Sequence, residues 1–150
     1  MIEIFIDADA CPVKDEVYVV ATRYGVYVVV VANAPMYVPD GMGVEMVVVD
    51  QGPDVADDWI AEHVRRSDVV VTADIPLAAR CLEKGARVLG SNGREFTEDS
   101  IGHQLATRDL KASLREAGLA GGGPPPISGK DRSRFSSKLD ELVSKGVREG

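Results

Sequence analysis

The sequence predicts a three-layer α/β/α sandwich around a mostly parallel sheet. Short, apolar, β-branched segments alternate along the chain with segments of helical length, which is the pattern of βαβ units. The chain has 150 residues, of which 45% are hydrophobic and 27% charged, as expected for one globular domain with its own core. Right-handed crossovers place helices on both faces of such a sheet, with a ligand crevice at the carboxyl ends of the strands.

The first half of the chain is predicted to alternate strand and helix around one loop. Residues 2–6 form a buried strand, and a helix follows with Pro12 in its first turn and Gly25 just past its end. Residues 26–32 form the second strand. Prolines and glycines make residues 33–44 a loop, and residues 45–49 form the third strand.

The second half continues this alternation. A helix beginning near residues 52–54 places Trp59 and His63 on its apolar face, where both are predicted to pack. Residues 68–72 and 86–89 are the fourth and fifth strands, and residues 75–84 form the helix between them. Thr97 is predicted to cap a long helix that reaches about residue 117.

The domain is predicted to span residues 1–120, and residues 121–150 to add a linker and a C-terminal helix. The linker is the run of three glycines and three prolines at residues 121–126. Beyond it, Phe135, Leu139 and Leu142 form an apolar stripe at helical spacing. Because an isolated helix of this length is marginal in water, we expect it to pack on the same domain.

Composition excludes several classes of protein. A net charge of −7 excludes a uniformly basic nucleic-acid coat. Two cysteines without a CxxC motif and two distant histidines argue against a disulfide framework, a zinc ribbon or a His-rich metal site. The acidic opening and the short apolar runs predict no signal peptide and no membrane span, so we expect a cytoplasmic protein with reduced thiols.

Acidic residues follow two strands that are neighbours in common doubly wound sheets. Asp7 and Asp9 come directly after the first strand, and Asp74 follows the fourth. Converging carboxylates repel one another unless their pKa values rise or a cation binds, and Mg²⁺ or Mn²⁺ suits a site made only of oxygen ligands. The sequence therefore predicts that these three acids are catalytic and metal-binding residues.

Simpler roles remain open for several polar residues near this crevice. Asp74 is also placed to cap the third helix, and Asn92 stands in a turn signal although it is a candidate substrate contact, as is Thr72. Cys11 is more typical of an inert buried thiol than of a nucleophile. Five further acids have two possible roles, which are to complement a helix dipole or to complete the site. They are Asp54, Asp57, Asp58, Glu98 and Asp99.

The motifs taken together resemble the YaiI/YqxD family of bacterial proteins. The resemblance is carried by FIDADACPVK at residues 5–14, VVTADIPLA at 70–78 and NGREF at 92–96. It continues in GGP at 122–124 and KDRSRF at 130–135, and so spans almost the whole chain. The resemblance implies a fold similar to PIN-like nuclease domains, which are parallel α/β sandwiches with an acidic metal site.

The PIN pattern maps onto this chain only in part. The acid after the first strand corresponds to Asp7, with Asp9 beside it, and the acid after the fourth strand corresponds to Asp74, with Thr72 as the preceding hydroxyl. The helix acid of the pattern has two candidates, Asp57 and Asp58. The last acid has no clear match; the nearby residues are Asn92, Glu98 and Asp99.

Three functions are compatible with these residues. The leading hypothesis is a Mg- or Mn-dependent nuclease acting on RNA, with a basic C-terminal arm as a phosphate clamp. The alternatives are a metal- or nucleic-acid-binding module without turnover, and a haloacid-dehalogenase-like phosphatase with Asp7 as nucleophile, although this chain has no Thr two places after Asp9. The candidate substrate contacts in the arm are Lys130, Arg132 and Arg134, with Lys138 nearby.

Overall fold

The computed structural model describes residues 2–8, 11–39, 43–52, 54–102 and 128–149 of the chain. Within these residues the fold comprises six strands and four helices, and residues 98–102 are also helical. The elements are, in chain order, β1 (Glu3–Asp7), α1 (Lys14–Tyr24), β2 (Tyr27–Ala32), β3 (Val44–Val48), α2 (Val55–His63), β4 (Val69–Val71), α3 (Ile75–Glu83), β5 (Arg87–Leu89), β6 (Glu95–Phe96) and α4 (Gly129–Glu149).

The strands form one mixed sheet in the order β3-β2-β1-β4-β5-β6. All pairs are parallel except β5 with β6. The chain first builds outward from β1 to β3 and then crosses back to add β4 on the other side of β1. The predicted neighbour relationship is confirmed, because Ile6 of β1 lies opposite Val71 of β4. The crevice between these two strands is where doubly wound sheets bind ligands.

Two apolar cores flank the sheet, which confirms the three-layer architecture. Alternate side chains of a strand point to opposite faces, so Ile4 and Ile6 join one core and Phe5 joins the other. Helices α1 and α4 cover the first core, and α2 and α3 cover the second. The predicted C-terminal stripe is confirmed, since Phe135, Leu139, Leu142 and Val143 of α4 are fully buried.

Helix α4 is held against both ends of the sheet. Near its end, a Cβ added to Gly146 would approach Ile2 Cδ1 to 2.6 Å and the Ser67 carbonyl oxygen to 2.9 Å. Near its start, Gly93 has a φ of +85° and lies so close that a Cβ would come within 2.7 Å of the Phe135 backbone nitrogen. Glycine is therefore required at both contacts. None of the helices described combines the length and the apolar character needed to span a bilayer.

Several sequence expectations differ from the structure in detail. The first strand includes Asp7 instead of ending before it, and the two-residue β6 was not predicted. Trp59 packs against the second core but is only partly buried, and His63 is exposed, so the predicted packing is confirmed for Trp59 alone. They stack on each other at the margin of the second core, with ring centroids 3.8 Å apart. The predicted linker and the helix beyond residue 102 lie outside the described residues.

Candidate functional site

The candidate site lies at the carboxyl ends of the two central strands. β1 and β4 are buried, β-branched segments that end at polar residues, so their last side chains emerge together at one edge of the sheet. Helix α3 begins directly after β4, and α2 begins on the same side of the sheet after β3. Four elements therefore bring polar side chains to this edge.

A chain of hydrogen bonds connects Asp7 to Asp74 through Thr72. The buried Thr72 hydroxyl donates to Asp7 Oδ2 at 3.0 Å and accepts the backbone N–H of Asp74, also at 3.0 Å. Asp74 Oδ1 in turn accepts the Leu77 N–H at 2.8 Å and so caps α3. The capping role considered for Asp74 is thus confirmed. The cap engages Oδ1, and among the described residues no hydrogen bond reaches the other carboxylate oxygen.

Asp57 is the half-buried acid in the first turn of α2. Burial raises its pKa to about 6, and the negative charges of Asp74 and Asp7 act in the same direction. The charges of Asp74 and Asp7 are therefore near enough to disfavour ionisation of Asp57. Asp58, the other candidate, is exposed and forms an ion pair with Arg80 at 2.7 Å. The structure therefore distinguishes two acids that the sequence left equivalent.

The segment after β1 carries a buried thiol and a lysine. Burial raises the pKa of the Cys11 thiol, and Asp7 adds to the rise, while the Val13 backbone and Lys14 oppose it. The thiol form is therefore favoured, which supports the inert interpretation of this cysteine. Lys14 Nζ donates to the Cys11 carbonyl oxygen at 2.7 Å and places a positive charge near the crevice. Asp9 lies outside the described residues.

The cations of the C-terminal arm mostly pair with carboxylates. Arg132 Nη1 donates to Glu16 at 3.1 Å and to the Pro12 carbonyl oxygen at 3.0 Å, which seats the start of α4 beside the loop after β1. Arg134 lies 3.5 Å from Asp131. Lys138 contacts Glu95 and Glu141, whereas Lys130 is exposed. The arm is thus close to the crevice, but most of its charge is balanced locally.

The remaining predicted residues occupy the turns around β6. Asn92 is exposed, and its side-chain oxygen accepts the Arg94 N–H at 3.1 Å, as in the turn that the sequence indicated. Thr97 caps the helical residues 98–102 by accepting the Ser100 N–H at 3.1 Å, as predicted. Glu98 and Asp99 are exposed in the first turn of this segment, where acids complement the helix dipole.

The donor set suits a weakly held, hydrated cation better than a closed cage. Across the described ranges, no three His, Cys, Asp or Glu side chains lie close enough to share one metal ion. Mg²⁺ commonly keeps several waters and is bound by only one or two carboxylates together with substrate phosphates. Asp7 and Asp74, joined through Thr72, meet that smaller requirement.

The family of the chain follows from comparison with known proteins. The sequence model of the uncharacterized YaiI/YqxD family matches residues 5–145. The chain belongs to this family. The match includes the end of β1, the segment between β4 and α3, and most of α4, all of which contribute residues to the site.

Bacterial relatives extend the YaiI/YqxD match over almost the whole chain. A UPF0178 protein of Rhodospirillum rubrum is 56% identical over 94% of this chain and 95% of its own length. A UPF0178 protein of Parvibaculum lavamentivorans is 57% identical, covering 95% of this chain and 94% of its own. A third UPF0178 protein, from Paramagnetospirillum magneticum, is 55% identical over 99% of this chain and 98% of its own length. No solved structure matches this YaiI/YqxD chain.

Sequence reasoning missed two features of this YaiI/YqxD site. The first is Glu16, which anchors Arg132 although 116 positions separate the two residues. The second is Lys14, which lies in the FIDADACPVK motif without having been assigned a role. The only sequence signal for Lys14 was its place three positions after a cysteine in a tight loop. No local signal could pair Glu16 with Arg132.

Proposed function

We propose that this chain is a divalent-cation-dependent phosphodiesterase that cleaves RNA in the cytoplasm. The observation that carries the proposal is the hydrogen-bonded link from Asp7 through Thr72 to Asp74 at the ends of the two central strands. The charges of these two acids also raise the pKa of Asp57 on α2. Carboxylates whose charges disfavour one another's ionisation are unfavourable for the fold unless a cation offsets them, which supports a role in binding a cation. The two cysteines are buried free thiols, consistent with a reducing compartment.

Asp7 and Asp74 would hold the cation, which would be Mg²⁺ or Mn²⁺. When bound, such an ion supplies charge neutralisation at the phosphate and a water of lowered pKa. Thr72 fixes the spacing of the two acids, because its hydroxyl bonds both to Asp7 and to the backbone of Asp74. The cap on α3 further limits rotation of the Asp74 side chain.

Asp57 would accept the proton from the attacking water. A carboxyl group with a pKa of about 6 is mostly ionised at neutral pH yet basic enough to accept a proton from an attacking water. An ordinary Asp would be a weaker base. Asp57 also reaches the crevice from α2, whereas Asp7 and Asp74 follow the strands, so the two tasks fall on different elements.

The phosphate backbone would be bound along the rim of the crevice. Lys14 lies at the loop after β1, and Arg132 reaches the same loop from α4. The exposed Lys130 precedes Arg132 by two positions, and Arg134 is the next cation on this helix. We assign these residues to phosphate contacts that neutralise a polyanion beside an otherwise acidic chain.

A cleavage assay with matched variants tests the proposal. Labelled single-stranded RNA is incubated with the protein in Mn²⁺, in Mg²⁺ and in excess chelator, and Asp74→Asn is compared with Asp58→Asn. We expect cleavage that requires the cation, is lost in Asp74→Asn and survives in Asp58→Asn, whose acid is exposed and bound to Arg80. Cation binding without any cleavage would instead support the binding module. A phosphorylated Asp7 would support the phosphatase.

A further inference from the structure

Strand β3 forms the outer edge of the sheet and leaves part of its backbone unpaired. Val28 N–H donates to the Gly43 carbonyl and Val49 N–H to the Ala32 carbonyl, each at 2.9 Å. With the parallel register of β2 and β3, these bonds turn the backbone groups of Glu45 and Val47 toward β2 and those of Val44, Met46 and Val48 away from it. In the part of the chain that the structure describes, no hydrogen bond reaches the outward groups of these three residues.

Within the described residues, β3 lacks common protections against edge pairing. Exposed edge strands commonly carry lysine, proline or a bulge, whereas β3 reads Val-Glu-Met-Val-Val. Exposed large apolar side chains also occur here. Val48 on β3 is 49% exposed, and Tyr27, which lies beside Gly43 just before β3, is 51% exposed. Together β3 and Tyr27 make up the β3 edge.

We propose that the β3 edge pairs with the same edge of a second copy of this chain, antiparallel and about a twofold axis at Met46. In this register Met46 faces Met46, and Val44 faces Val48 of the second copy. The outward N–H and C=O groups of all three residues then find partners, because residues that face each other in this way exchange two hydrogen bonds. The result is one continuous sheet across two molecules.

The side chains favour a second copy over an unrelated peptide. Val44, Met46 and Val48 lie on the face of the first core, so pairing extends that apolar surface without interruption. Glu45 lies opposite Val47 of the second copy, and no like charges stand directly opposite one another. The edge is therefore complementary to itself, as a twofold interface requires.

The expected dimer is weak. A five-residue strand pair is small beside the roughly 800 Å² per partner of a standard interface. Each copy also carries a net charge of −7, so the copies repel at low salt. We expect dissociation at micromolar concentrations and reversible exchange between monomer and dimer.

Sedimentation equilibrium tests the proposal. The full chain is measured from about 1 µM to about 1 mM at roughly 0.15 M salt, where the Debye length is short. We expect a monomer–dimer equilibrium that Val48→Lys weakens at least about tenfold, since it places a cation at the pairing edge. Val19→Lys, on the exposed face of α1, is the matched control because Val19 is 58% exposed. A monomer at every concentration, or equal loss in both variants, overturns the proposal.

Amide hydrogen exchange provides a test without substitutions. Dilution should accelerate exchange of the outward amides of Val44, Met46 and Val48, because only the second copy protects them. The inward amides of Glu45 and Val47 should remain protected by β2 at all concentrations. Outward amides that exchange at the same rate at both ends of the concentration range would exclude pairing at this edge.

Discussion

The hydroxyl of Thr72 donates a hydrogen bond to the carboxylate of Asp7 across the two central strands, over a separation of 65 positions in sequence. Thr72 is buried, and its oxygen also accepts the Asp74 N–H. One small side chain therefore sets the distance between the ends of β1 and β4. The geometry of the acidic crevice depends on this bond as much as on the acids themselves.

Thr72→Val should destabilise the protein although it keeps the shape of the side chain. The substitution removes the donor to Asp7 and the acceptor of the Asp74 N–H in a buried setting, which costs about 1–3 kcal/mol. Thr72→Ser should recover most of that stability because it keeps the hydroxyl. Chemical unfolding of the three proteins provides the measurement. Equal stability of Thr72→Val and wild type would show that the bridge contributes nothing.

Asp7→Asn should stabilise the cation-free protein and remove its response to Mn²⁺. The substitution relieves repulsion with Asp57 and Asp74 while it keeps an acceptor for Thr72. Wild type with Mn²⁺ at about 100 times its Kd should gain roughly 2.7 kcal/mol, or about 5–10 °C in Tm. Thermal melting with and without Mn²⁺ measures both effects. Absence of any shift in wild type at millimolar Mn²⁺ would argue against a cation site.

Two substitutions at Asp74 separate its cap from its charge. Asp74→Asn should leave the stability of the cation-free protein nearly unchanged, because Asn caps a helix about as well as Asp. Asp74→Ala should cost about 1 kcal/mol because it removes the bond to Leu77. Both should lose the Mn²⁺ response in the same melting assay. A preserved response in Asp74→Asn would confine this residue to capping.

The raised pKa of Asp57 predicts a pH-dependent stability. Asp57 keeps its proton up to about pH 6 in the folded state but only to about pH 3.8 in the unfolded state. The stability that this difference contributes is therefore complete below pH 3.8 and is lost as the pH rises to 6. Wild type should therefore lose stability relative to Asp57→Asn over this interval. Solvent screening reduces the difference to about 1 kcal/mol, or roughly 2–4 °C. Melting curves from pH 4 to 7 measure it, with Asp58→Asn as the control, because this variant keeps Asp57 and should follow the wild-type trend.

The C-terminal arm predicts a salt-dependent contribution to RNA binding. Replacing Arg132 and Arg134 by Ala should weaken binding and reduce the slope of log K against log salt by roughly one unit for each phosphate that is no longer neutralised. Lys145→Ala is the control, since Lys145 pairs with Glu141 farther along α4. Fluorescence anisotropy at several salt concentrations provides the slopes. An unchanged slope in the double variant would exclude the clamp.

The adjacency of β1 and β4, and with it the convergence of Asp7 with Asp74, was accessible from sequence because buried parallel strands leave a strong local signal. Residues at their carboxyl ends then meet by topology alone. The choice between Asp57 and Asp58 was not accessible, since neighbours on a helix differ in direction by about 100° and the pattern does not fix the rotation to one position. The two-residue β6 is likewise too short to show a hydrophobic alternation in the sequence.

Long-range pairing explains the other differences. The stripe on α4 indicated that the helix packs, but no local pattern could show that Arg132 meets Glu16 and thereby balances its charge. Trp59 and His63 have the spacing of a buried face, yet α2 lies where its last turn reaches the margin of the core. Hydropathy indicates which residues prefer burial, whereas how deeply a residue is buried depends on the elements that pack against it.

The position of α4 also determines when the fold can be completed. All six strands precede this helix in the chain, yet its side chains from Phe135 to Val143 close the first core. During synthesis the sheet therefore leaves the ribosome with one hydrophobic face covered by α1 alone, and the rest of that face stays open until α4 has emerged. At translation rates of about 5–20 residues per second, this leaves an interval of seconds in which apolar surface of the nascent chain is exposed to aggregation.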